Sequence, residues 1–181
     1  MNKLHSIAQF AAVLALGCAT ASATQPKPTS EFTTTDPKKV KILHDSSQEK
    51  DAEMDSFRHL CPGLGGYQVI HEGGDLRSWI NLKINGQTTD LMTDTLAACP
   101  AQFPHKANDV VQWRGFRKGN SFVPYAIIYR MTSNADDQKR TRFETLIIIK
   151  LDKENSKVVA HVPSREGNEK AEAVADKLCR P

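Results

Sequence analysis

The segment YQVIHEGGDLRSWINLKINGQTTDL, residues 67–91, sets two turn signals inside an apolar pattern of period two, and that combination decides the fold class. Tyr67, Val69 and His71 share one parity, Gly73-Gly74 interrupts, and Leu76, Ile80, Leu82 and Ile84 continue the apolar face. A two-residue Gly73-Gly74 loop pairs Glu72 with Asp75, Val69 with Ser78 and Tyr67 with Ile80. Asn85-Gly86 is a second hairpin signal, because both residues tolerate the positive φ of a type I′ turn. It pairs Leu82 with Thr89 and Ile80 with Leu91, so three antiparallel strands follow one another.

Upstream, Cys61-Pro62-Gly63-Leu64-Gly65-Gly66 looks at first like a glycine-rich cradle for an anion. Such a cradle needs a helix after the glycines, whose N-terminal amides face the ligand. Here the glycines run into Tyr67-Gln68-Val69-Ile70, a strand, so they read as an irregular entry to the sheet. Before them, Met54, Phe57 and Leu60 fall at helical spacing, which predicts a short amphipathic helix leading into Cys61.

Downstream, residues 109–116, 121–132, 142–151 and 157–163 read as strands. The clearest is FETLIIIKL, residues 143–151, apolar at both parities as a central strand covered on two faces would be. Residues 94–108 read as the longest loop. At the end, Ala171, Val174, Ala175, Leu178 and Cys179 mark one face of a helix, with Ser164 or Asn168 as candidate caps. The expected fold is α+β: an antiparallel sheet of about seven strands with a C-terminal helix packed on one face.

The N-terminus reads as an export signal over residues 1–23. Lys3 supplies the charge, Ile7 to Leu16 form an apolar run too short to span a bilayer, and Ala21-Ser22-Ala23 offers a cleavage site. Leu14-Ala15-Leu16-Gly17-Cys18 is a competing lipobox-like pattern, in which Cys18 would carry lipid and the protein would be an outer-membrane lipoprotein. Residues 24–39, TQPKPTSEFTTTDPKK, hold one aromatic among Thr, Pro and Lys, a composition that predicts a flexible linker. Residues 40–181 are then a single globular domain, periplasmic or secreted. No later segment is apolar enough to be an integral membrane segment.

Removing Lys3 from the 24 basic residues leaves 23 against 21 acidic ones, a balance of +2 that excludes nucleic acid as a partner. The histidines beyond the signal, His44, His59, His71, His105 and His161, show no metal-ligand spacing, and the sequence implies no cofactor. Three cysteines remain after Cys18 leaves. Cys61 precedes the first of these strands and Cys179 ends the helix, so a Cys61–Cys179 disulfide is expected, worth roughly 4 to 5 kcal/mol by loop-closure entropy. Cys99 is left as a free thiol.

CPGLGGYQV, EGGDLRSW, VVQWR, PYAIIYRM and NEKAEAVADKLC together resemble an uncharacterised family of small exported alphaproteobacterial proteins. The resemblance covers Cys61 to Cys179 and implies a shared fold and export, with no catalytic role. The chain departs from the family pattern around Cys99 and Phe103.

Arg77 and Trp79 share the parity opposite to the apolar face, and Trp113-Arg114 stands on a later strand. Exposed Trp and Arg dominate binding hot spots. The reading is therefore a non-enzymatic binding domain that uses Arg77, Trp79, Trp113 and Arg114 on an unknown protein or envelope component. The alternative is a thiol-dependent enzyme or redox protein using Cys99 with His105 as base.

Overall fold

A computed structural model of the chain describes residues 26–49, 54–100, 103–134 and 142–181. The export signal therefore lies outside the described residues, as do residues 135–141. The described chain is mostly antiparallel strand with two α-helices, the second at the C-terminus. The strands form two sheets of five rather than one of seven.

The first sheet joins β1 (Thr29–Thr34), β7 (Pro104–Lys118), β8 (Ser121–Asn134), β9 (Arg142–Lys150) and β10 (Lys157–Pro163), in that spatial order. The second joins β2 (Lys41–Asp45), β3 (Ser56–Cys61), β4 (Gln68–Gly74), β5 (Arg77–Ile84) and β6 (Gln87–Thr89). Helix α1 (Met92–Ala98) connects the sheets, and α2 (Asn168–Cys179) ends the fold.

Two separate cores explain the apolar pattern. Between the sheets lie Val69, Ile80 and Leu82 from one, and Val111, Trp113, Ile127, Tyr129, Ile147 and Ile149 from the other. Under α2 lie Ile128, Leu146 and Ile148 with Ala171, Ala175 and Cys179. β9 contributes alternate residues to both cores, which is why Leu146 to Ile149 is apolar without a break. Leu178, expected on the buried face of α2, is exposed, and Gly167 with φ 85° replaces a side-chain cap.

The two cores also correct the expected disulfide. Cys61 and Cys99 belong to the core between the sheets, whereas Cys179 lies in the core under the helix, with the first sheet between them. All three are buried, free thiols. Burial pushes the Cys61 and Cys179 thiols up to about 11 and the Cys99 thiol up to about 12.

Residues 29–34 are a strand, not part of a linker. β1 pairs antiparallel with β7 from Thr29↔Gly115 to Thr34↔Val110. Polar contacts hold it: Thr33 Oγ1 accepts from Trp113 Nε1 at 2.8 Å, and Ser30 Oγ accepts from Gln112 Nε2 at 2.9 Å and Arg114 Nη1 at 3.0 Å. The expected helix around Met54, Phe57 and Leu60 is likewise a strand, β3, paired with β2 and β4.

Asn85-Gly86 forms the expected turn, at φ 51° and 81°, and Leu82 faces Thr89. The preceding turn is displaced by two residues. Asp75 and Leu76 occupy it at φ 50° and 62°, and Gly73 and Gly74 stay in the ladder opposite Ser78 and Arg77. Gly73 is needed for close packing, because a Cβ there would stand 2.2 Å from the Phe57 ring. A two-residue displacement preserves parity, so the strand residues keep their predicted faces, while Leu76, expected on the apolar face, is exposed in the turn.

Candidate functional site

Cys61, Val69, Ile80 and Leu82 point between the sheets, so the alternate residues of β3, β4 and β5 face the other way. At one end of that outer face, Ser56, Gly74 and Arg77 stand in register across three strands. Gly74 has no side chain, and a Cβ there would meet only ordinary contacts. A cleft of about 470 Å³ results, lined among others by His44, Ser56, Arg77, Trp79 and Met92.

One wall carries one hydrogen bond and one longer polar contact. His44 Nε2 lies 2.9 Å from Ser56 Oγ, and His44 Nδ1 lies 3.6 Å from Glu49 Oε1. The β2–β3 pairing brings these groups together from positions up to twelve residues apart. A second contact holds Ser56 itself, whose backbone N–H donates to the buried Ser46 Oγ at 2.7 Å.

The facing wall carries donors with nothing to donate to. Trp79 Nε1 and Arg77 Nε are out of water and have no hydrogen-bond partner among the described residues. An unmade hydrogen bond of this kind costs about 1–3 kcal/mol. Arg77 is otherwise engaged: Nη1 donates to Asp75 Oδ2 at 2.6 Å, and its guanidinium lies 4.5 Å over the Phe103 ring. Beyond it a second cleft of about 360 Å³ is lined by Phe57, Leu76, Phe103 and His105.

The structure separates the four residues expected to form one binding face. Arg77 and Trp79 do line the same cleft. Trp113 is fully buried between the sheets, 6.4 Å from the Tyr67 ring. Arg114, adjacent in sequence, points to the opposite side and is held under α2 by Asp176 and Glu172. Neighbours on a strand face opposite ways, so Trp113 and Arg114 could not have served one surface together.

Cys99 is not placed for chemistry. It ends α1, is 3% exposed, and its raised thiol disfavours the thiolate a nucleophile needs. His105 instead lines the cleft beside Phe103, where burial, then Arg142 and Lys106, lower its proton affinity. Among the described residues no group of three or more His, Cys, Asp or Glu could hold a metal ion.

A larger cleft, about 600 Å³, lies on the first sheet, lined by residues including Arg130, Arg142, Glu144, His161 and Ser164. Its charges are partly spent on each other: Glu144 accepts from Arg130 at 3.3 Å and from Arg142 at 3.0 Å. No hydrogen bond joins His161 to Ser164 among the described residues.

Of the residues lining this cleft, sequence reasoning names Arg77 and Trp79 and does not name His44, Glu49 and Ser56. No local pattern marks them, because only strand pairing brings them together. No protein-family model, curated protein or solved structure matches the chain.

Proposed function

We propose that the protein is an exported binding domain, periplasmic or secreted, that takes a carboxylate-bearing ligand with a short apolar arm in the cleft between Ser56 and Trp79. Export rests on Lys3, the Ile7 to Leu16 run and the Ala21-Ser22-Ala23 site. The lipobox-like Leu14 to Cys18 segment keeps attachment to the outer membrane as the alternative address.

The observation that carries the binding reading is that Trp79 and Arg77, each with a buried N–H that has no partner among the described residues, both line one cleft. Buried donors are ordinarily paired, and a ligand oxygen would pair both. A carboxylate supplies two acceptor oxygens, and at Arg77 it would take the place of the exposed Asp75. Met54, Met92 and the Trp79 ring offer the apolar arm its contacts. The cleft volume is in the range of small-molecule sites.

Octanoate is a suitable probe. At a concentration about one hundred times its Kd it should stabilise the full chain by about 2.7 kcal/mol, a shift of several degrees in Tm. Trp79→Phe keeps the ring and removes the donor, so affinity should fall about tenfold, as it should in Arg77→Gln. Shifts of equal size in the parent and both variants would refute this site.

A further inference from the structure

We propose that the cleft is also a hydrolytic site, in which Ser56, His44 and Glu49 cleave carboxylic esters of short apolar acids. This rests on the same cleft being the ligand site, and it assigns those residues a task that binding alone leaves unexplained.

Three observations carry it. The Ser56 Oγ to His44 Nε2 distance, 2.9 Å, is that of a nucleophile and its base. Glu49 Oε1, 3.6 Å from Nδ1, favours the tautomer with the proton on Nδ1, which leaves Nε2 to accept the Ser56 hydroxyl proton. The third observation is independent of that chain: Trp79 and Arg77, which line the same cleft, each hold a buried N–H with no partner among the described residues. Donors held in place without a ground-state partner are suited to an oxyanion that exists only during reaction.

The spacing is compatible. Ser56 and Arg77 flank Gly74 in register, so their strands lie about 10 Å apart, two inter-strand spacings. An ester carbonyl about 3 Å from Ser56 Oγ would leave its oxygen within reach of a long side chain from the far strand. His44 and Glu49 are half open to solvent, and a bound acyl chain against Met54 and Met92 would help exclude water.

The steps balance without any further reactant than water. Ser56 Oγ bonds to the ester carbonyl carbon as its proton passes to His44 Nε2, and the carbonyl oxygen becomes an oxyanion facing Trp79 Nε1 and Arg77 Nε. The intermediate collapses, the bond to the leaving oxygen breaks, and that oxygen takes the proton from His44. Water then attacks the acyl-Ser56 carbonyl, giving a proton to His44. Ser56 Oγ leaves, recovers that proton, and the carboxylic acid departs. Ester and water thus become acid and alcohol, and the acid product is the kind of ligand proposed for the cleft. Glu49 is a positioning residue, because it acts through His44.

The test uses the full chain, a fluorophosphonate that phosphonylates activated serines, and p-nitrophenyl butyrate. Peptide mapping should place one phosphonyl group on Ser56, absent in Ser56→Ala and reduced at least 100-fold in rate in His44→Gln. Butyrate ester hydrolysis should fall by the same order in both. Glu49→Gln should lower kcat about tenfold with KM unchanged. Octanoate-induced stabilisation of Ser56→Ala shows that the variant is folded and its cleft intact. An unlabelled parent that still binds octanoate overturns the hydrolytic proposal and leaves the binding site standing. Labelling that persists in Ser56→Ala also overturns it. A labelled Ser56 with no octanoate binding refutes the ligand chemistry instead.

Discussion

Arg114 shows how one side chain fastens the C-terminal helix to the first sheet. Its side chain is 9% exposed, and it grips Asp176 with two nitrogens, Nε at 3.0 Å and Nη2 at 2.6 Å. Nη1 reaches Glu172 at 3.2 Å and Ser30 Oγ at 3.0 Å, so β1, β7 and α2 meet at one guanidinium. Tyr125 completes the group by donating its hydroxyl to Asp176 at 2.5 Å. Burial alone would raise the Asp176 carboxyl, but the hydrogen bonds from Arg114 and Tyr125 outweigh it and hold it below its ordinary value. Removing the cation would leave two carboxylates half-buried and facing each other. Arg114→Leu should therefore cost about 3 kcal/mol, read as a fall in the urea midpoint with the m-value unchanged. A loss below about 1 kcal/mol would mean that water screens the pair as it does at a surface. The adjacent Trp113 differs in kind, since it is fully buried and its N–H already has Thr33. Both residues looked like binding residues in the sequence because Trp and Arg serve interfaces and interiors alike, and residue type alone carries no burial.

At the scale of elements, legibility follows the source of each element's energy. β4, β5 and β8 to β10 derive theirs from alternating apolar side chains, and period-two reading located them; β6, Gln87–Thr89, was located by the Asn85-Gly86 turn. β1 does not: Thr29–Thr34 has one large apolar residue, Phe32, and it is exposed. Its stability comes from the ladder to β7 and from Ser30 and Thr33 taking donors that the first sheet would otherwise bury unpaired. Composition counts those residues as linker. α1 was hidden for a similar reason, being seven residues long with no side-chain cap, and anchored by Thr95 Oγ1 against Tyr129 Oη at 3.1 Å. The displaced β4–β5 turn shows the reverse case. Two glycines suggested the turn, but Phe57 occupies the space over Gly73, a contact invisible in the local sequence. The strand reading of β1 gives the prediction: deleting residues 26–36 removes the ladder and leaves Trp113 Nε1 without its acceptor Thr33. Tm should fall by more than about 10 °C, given several buried hydrogen bonds at about 1 kcal/mol each. A truncated chain that melts with the parent would show residues 29–34 to be dispensable, as the linker reading holds.

For the molecule as a whole, what sequence could not supply was the division into two sheets, because the β1–β7 pairing joins residues 76 to 86 positions apart and no periodicity encodes it. That division puts Cys179 in a different core from Cys61 and Cys99, so stability has to come from packing rather than a staple. It also encloses two histidines. His59 on β3 and His71 on β4 face each other across the ladder, ring centroids 6.1 Å apart, with Phe57 4.9 Å from each. All four ring nitrogens are buried without a hydrogen-bond partner among the described residues. Burial, with His59 beside it, lowers the His71 proton affinity from 6.5 to about 4; burial lowers His59 as well, against the pull of Asp45. Both rings are thus neutral in the folded protein near neutral pH. Above pH 6.5 the unfolded chain is neutral at these positions too, and they add no pH dependence. Below it the unfolded chain takes up protons that the folded one refuses, so stability falls with pH until about pH 4, where folded His71 protonates. The His71 share of that loss is about 3 kcal/mol. Carboxylates held low, such as Asp176, act below their ordinary value of 3.8, beneath this window. Glu72, raised chiefly by burial, acts with the opposite sign, so the histidine share is isolated by comparing the parent with a variant. In urea titrations between pH 7 and 4.5, His71→Leu should lose markedly less stability than the parent, whatever its stability at pH 7. Parallel curves would mean that His71 gains a proton as readily inside the sandwich as outside it.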